Sequence, residues 1–192
     1  MLVEPLRRGT AARHGVAREE QDEAIRGVRM PEENGNRPCE QGIAERERRL
    51  LANFRLLDDR FLQFEYLMSF VADLDELPDG ECDESFAVDG CNGKAWIELS
   101  APSGCLSMRG SADALVIKSL IGVLSWLLNG RTLREIREWK PAMMDDPLFR
   151  KQVVGNRRKG FESMIDTVRR YCGAACTSAK GKGHRKQADG LG

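Results

Sequence analysis

The sequence lacks an excess of charge of either sign. In 192 residues, 30 Lys and Arg balance 30 Asp and Glu. A balanced chain has no general attraction to nucleic acid or to a charged membrane surface, so neither is expected as a partner. A long uninterrupted apolar run is also missing. The longest candidate, residues 112–128, is broken by Asp113 and Lys118 and suits a buried helix better than a membrane span. No apolar h-region follows Met1-Leu2-Val3-Glu4-Pro5-Leu6-Arg7-Arg8, so no secretory signal is expected. The six cysteines (Cys39, Cys82, Cys91, Cys105, Cys172 and Cys176) then read as reduced thiols of a cytoplasmic protein, not as a disulfide framework.

Several catalytic signatures are absent as well. There is no Cys-x-x-Cys, which disfavours a thioredoxin-type dithiol. Neither Gly-x-Ser-x-Gly nor His-Glu-x-x-His occurs. His14 and His184 are the two histidines, and neither has a partner visible in sequence. Cys172-x-x-x-Cys176 has no second Cys/His pair to face it, so no metal site is expected. Gly181-Lys182-Gly183 lacks the strand–loop–helix setting of a phosphate loop.

What is present divides the chain into three. Residues 1–41 are dominated by Arg, Glu, Gly and Pro without an apolar stripe, the composition of a disordered extension. Residues 42–174 carry the periodic apolar pattern of one domain, and residues 175–192 form a small, basic, glycine-rich tail expected to be flexible. Structure is expected to begin near Ile43, where Leu50, Leu51, Phe54 and Leu57 fall at helical spacing. A second helix is expected over 58–75, ended by Pro78, Asp79 and Gly80. Phe86-Ala87-Val88 reads as a short strand. Ala95, Ile97 and Leu99 alternate with Lys94, Glu98 and Ser100 as in a half-buried strand. Residues 105–109 return as a strand, with Gly110-Ser111 as a break. Ser111 or Asp113 is expected to cap an almost wholly apolar central helix that Asn129-Gly130 stops. Thr132 and Glu135 form a capping-box pattern, and Pro141 and Pro147 bracket a segment of little regular structure. A last helix is expected from Asn156 to about Gly173. The sum is an α+β fold, a small antiparallel sheet with helices packed mainly on one face.

The stretch Val88-Asp89-Gly90-Cys91-Asn92-Gly93-Lys94-Ala95-Trp96-Ile97 stands out. Gly90 and Gly93 permit backbone angles that a Cβ resists, and Asp89 and Asn92 favour turns. It reads either as a plain hairpin turn or as a loop that presents the Cys91 thiol as a nucleophile. An acidic run precedes it: Asp73, Asp75, Glu76, Asp79, Glu81, Asp83, Glu84 and Asp89 have no basic residue among them. Arg150, Lys151, Arg157, Arg158, Lys159, Arg169 and Arg170 make the later part basic.

Gly90, Cys91 and Trp96 resemble the signature of the SufE/CsdE family, sulfur acceptors that work with cysteine desulfurases. Gly110-Ser111-Ala112-Asp113-Ala114-Leu115-Val116-Ile117-Lys118 is similar to the family's passage from strand end to central helix. Asn156-Arg157-Arg158-Lys159-Gly160-Phe161 is similar to its entry into the last helix, and Asn53-Phe54 and Leu77-Pro78 fit its first two helices. Gly93 stands where serine is common in the family, and Gly155 and Asn156 replace a common Pro-Ser. The resemblance implies that Cys91 takes persulfide sulfur from a desulfurase, stimulates that enzyme and passes sulfur to an iron–sulfur cluster scaffold complex. It implies Gly90, Asp113 and Arg157 as partner contacts. It implies no metal or organic cofactor on this chain, since the pyridoxal phosphate belongs to the desulfurase. It implies a persulfide carrier, monomeric or homodimeric, that activates its partner rather than a stand-alone enzyme. An iron–sulfur scaffold, or a regulatory module that docks on the desulfurase without carrying sulfur, are the alternatives.

Overall fold

The computed structural model describes residues 42–90 and 94–181, the backbone alone from 176 onward. The expectations placed on residues 1–41 and 182–192, and on Cys91 and Gly93, lie outside the described residues. Six helices and two strands follow in the order α1 (Ile43–Leu56), α2 (Arg60–Ser69), β1 (Ala95–Ser100), β2 (Ser107–Ala112), α3 (Leu115–Leu128), α4 (Leu133–Glu138), α5 (Pro147–Gln152) and α6 (Asn156–Gly181). The fold is α+β, as the pattern of the sequence predicts.

The helices sit where their apolar faces demand. Helix α3 is apolar around most of its surface, and Leu120, Ile121, Val123, Leu124, Leu127 and Leu128 are all buried. It packs on β2 and is the centre of the core. Gly122 is the point of closest approach to α2: a Cβ there would fall well inside contact distance of the Phe70 carbonyl. Edge-on contacts run from Phe149 through Phe54, Tyr66 and Phe70 to Trp126, with ring centroids 5.3–5.8 Å apart, and tie α5, α1, α2 and α3 together. The C-terminal carbonyls of α3 accept from Arg46, at 2.6 Å for Trp126 and 3.2 Å for Asn129. A cation at that helix end opposes the macrodipole favourably.

The two strands pair antiparallel, Ala95 opposite Ala112 and Ser100 opposite Ser107. Ala95 and Ile97 are buried, as the alternation requires, and Trp96 is partly covered on the other face. That second face is polar. Arg109 donates to Glu98 across the strands at 2.7 Å and reaches Glu81 in the acidic segment, which holds the segment against the sheet. The chain at 75–77 adds along β2, with Leu77 N–H donating to Gly110 O and Gly110 N–H to Asp75 O, both at 3.1 Å.

Several expectations need correction. Phe86-Ala87-Val88 is not a strand: a 3₁₀ turn covers Glu84–Phe86, and Ala87 makes one bridge to Trp96. The second strand does not stop at Gly110-Ser111 but continues to Ala112. Neither Ser111 nor Asp113 caps α3, whose N-cap is Ala114. Thr132 does cap α4, accepting from Glu135 N–H at 3.2 Å. The Glu135 carboxylate, however, accepts from Ile43 N–H at 2.7 Å and so pins the start of α1. Between the prolines there is only a 3₁₀ turn, Ala142–Met144, as expected; the unexpected helix, α5, opens at Pro147, where Asp146 caps it by accepting from Leu148 and Phe149 N–H. The last helix runs on to Gly181.

Candidate functional site

The segment that carries Cys91 is closed at its base by backbone hydrogen bonds. Val88 N–H donates to Ala95 O at 2.9 Å, and Asp113 N–H donates to Lys94 O at 3.1 Å. Val88 and Ala95 are buried, whereas Asp89, Gly90 and Lys94 are exposed. The base is therefore anchored in the core, and the described residues next to Cys91 in the chain, Asp89, Gly90 and Lys94, face solvent. Gly90 has φ +79°, the left-handed region that favours glycine. A Cβ at Gly90 would lie 3.1 Å from Ser163 Oγ, so Gly90 lies against one face of α6. Cys91 follows directly in the chain.

Asp113 belongs to this same end of the sheet. Its amide is tied to Lys94, and its carboxylate is felt by Cys82. Cys82 is half-buried, 3.5 Å from the Pro78 carbonyl. Burial, and then the carboxylates of Asp79, Asp113 and Glu76, push its thiol pKa up, and Lys118 opposes them. Lys118 is itself paired with Glu76. A thiol in that setting is a poor nucleophile at neutral pH. Cys172 is fully buried in α6. Cys105 lies in the connection at the far end of the six-residue strands, about 17 Å from the loop base.

The structure brings Gly90 and Asp113 together at one end of the sheet. Arg157 is exposed in the first turn of α6, its amide donating to Val154 O at 3.2 Å. It precedes Ser163 by about 9 Å along the helix axis and is turned about 120° around it. Lys159, exposed and one turn before Ser163, shares the face against which Gly90 lies. Sequence reasoning singled out neither Ser163 nor Lys159, because nothing local marks the contact of α6 with Gly90. Among the described residues no three His, Cys, Asp or Glu side chains are grouped to hold a metal ion. Among them, too, no helix is long and apolar enough to cross a membrane.

Comparison with known proteins adds two findings. A solution structure of a hypothetical protein from Thermus thermophilus is similar in fold, with a TM-score of 0.56 and 19% identity, over 69% of this chain and 96% of that one. The family described as "SufE: Fe-S metabolism associated domain" matches residues 48–172. This span includes α1 from its second turn, both strands, the Cys91 loop and α6 as far as Cys172. The chain therefore belongs to the SufE family, whose domain is associated with iron–sulfur metabolism.

Proposed function

We propose that this protein accepts sulfur on Cys91 from a cysteine desulfurase in the cytoplasm, stimulates that enzyme, and passes the sulfur to an iron–sulfur cluster scaffold complex. The observation that carries the reading is the position of Cys91 in a family member: directly after a left-handed glycine, in a loop anchored at its base by the Val88–Ala95 and Asp113–Lys94 hydrogen bonds. A sulfur that must enter another protein's active site belongs in a stretch whose flanks, Asp89, Gly90 and Lys94, are exposed.

The chemistry is thiol exchange. The Cys91 thiolate attacks the outer sulfur of the desulfurase persulfide. The S–S bond to the desulfurase cysteine breaks, that cysteine leaves as a thiolate, and Cys91 holds the persulfide. There is no net oxidation, and the same exchange delivers the sulfur onward. Asp89, two residues before Cys91 in the chain, opposes a thiolate in the free protein. A basic partner surface that covers the acidic residues raises the thiolate fraction when the two proteins meet. Gly90, Asp113 and Arg157 are the proposed partner contacts. The test is desulfurase turnover of cysteine with this protein added. The wild type should raise the rate and Cys91→Ser should not. Equal stimulation by Cys91→Ser would contradict a sulfur-accepting role.

A further inference from the structure

Among the described residues the most exposed large apolar side chains are Leu56, Phe61, Leu115 and Val154, and three of them stand on segments that hydrogen bonds join. Leu56 ends α1, Phe61 lies in the first turn of α2, and Val154 sits between α5 and α6. Hydrogen bonds join these segments. Gln152 Nε2 donates to Arg60 O at 2.9 Å, Arg60 donates to Lys151 O at 3.0 Å, and Gln63 Nε2 donates to Leu57 O at 2.7 Å. Around them residues 147–161 carry Arg150, Lys151, Arg157, Arg158 and Lys159 and no acidic residue. Arg158 is engaged by Glu162 and the Met144 carbonyl. Arg150, Lys151, Arg157 and Lys159 are exposed and make no ion pair among the described residues. Three acids at this junction are engaged: Asp146 pairs with Arg55 and caps α5, Glu162 pairs with Arg158, and Asp59 caps α2.

Exposed apolar groups ringed by unneutralised cations suit an acidic segment that carries apolar side chains. The chain holds one. Residues 19–25 read Glu-Glu-Gln-Asp-Glu-Ala-Ile, four acids followed by Ala24 and Ile25. Sixteen residues, 26–41, connect it to Gly42, where the described structure begins. Helix α1 carries the chain about 20 Å from Ile43 to the junction. Sixteen residues can span at most about 53–58 Å, so the segment can reach the junction of its own chain. We propose that residues 19–25 dock on this junction of their own chain and cover Arg157. That this competes with a partner rests on the reading of Arg157 given above; the docking itself does not.

The experiment is NMR of the full chain and of one variant that combines Glu19→Lys, Glu20→Lys, Asp22→Lys and Glu23→Lys. The Leu56 and Val154 methyl signals and the amides of 150–157 should differ between the two proteins. In the wild type they should move toward the variant's positions as salt rises to about 0.5 M, because screening weakens the contact. Identical junction signals in the two proteins would overturn the proposal. So would a difference that grows with protein concentration, since it would assign the junction to a second copy. In the desulfurase assay the variant should reach half-maximal stimulation at an about two- to threefold lower concentration. Docking without this change would leave the intramolecular contact standing and remove Arg157 from the partner contacts.

Discussion

The thiols of this protein differ by what surrounds them. Cys172 is sealed in α6, and burial, with the carboxylates of Asp79, Asp113 and Glu76, pushes the Cys82 thiol pKa up. Cys82→Ser is therefore expected to leave sulfur loading unchanged, measured as persulfide formed per protein after incubation with a desulfurase and cysteine. Lys159 lies one helical turn from the Ser163 hydroxyl that Gly90 approaches, and Gly90 precedes Cys91 in the chain. Lys159→Gln removes one cation from that face. At fixed pH just above neutrality it should slow alkylation of Cys91 by iodoacetamide by up to about two- to threefold, the size of one solvent-exposed charge acting on a thiolate. The same substitution at Lys140, exposed and outside this face, should not change the rate.

At the scale of elements, two places decide how well the helices hold the sheet. Gly122 lets α2 and α3 touch backbone to backbone, and Gly122→Ala drives a methyl group into the Phe70 carbonyl. The helices must move apart, and the expected loss is about 1–3 kcal/mol in denaturant unfolding. The second place is Glu47, buried in α1, whose carboxylate accepts from Trp139 Nε1 at 3.2 Å and from Met143 N–H at 2.8 Å. Burial raises its pKa, with those hydrogen bonds pulling the other way. A raised carboxylate binds its proton more tightly in the folded state. Its contribution to stability is thus fully present below the unfolded-state pKa and is lost as pH rises through the folded-state value. Glu47→Gln should flatten that fall in a series of unfolding curves from acidic to neutral pH. The helices and the alternation of β1 were readable from sequence because burial imposes the 3.6- and 2-residue periods on them. The end of β2 was not. Gly110 reads locally as a break, yet it lies within the strand because a Cβ there would come within 2.7 Å of Ile121 on α3. Asp113 reads as a cap, but the helix opens one residue later, with Ala114 at the N-cap position. Asp146 and Pro147 carried an ordinary start signal, and the helix they open is only six residues long, too short for a period to show. The loop with Gly90 and Cys91 was legible in its residues, whereas the approach of Gly90 to Ser163 depends on a contact between distant parts of the chain.

Across the whole molecule, charge is sorted. The acidic segment, held to the sheet by Arg109, lies beside the loop, and the cations gather at the α5–α6 junction. Net charge is zero, so partner choice rests on these local fields and not on overall attraction. The arrangement is coherent if Cys91 is the one group that leaves the protein's surface carrying sulfur. The most direct measurement is peptide mass spectrometry after incubation with a cysteine desulfurase and cysteine. The account predicts a mass increase of one sulfur atom on the peptide containing Cys91, reversed by a reductant and absent in Cys91→Ser. The same shift on a peptide containing Cys82 or Cys105, or its persistence in Cys91→Ser, would contradict it.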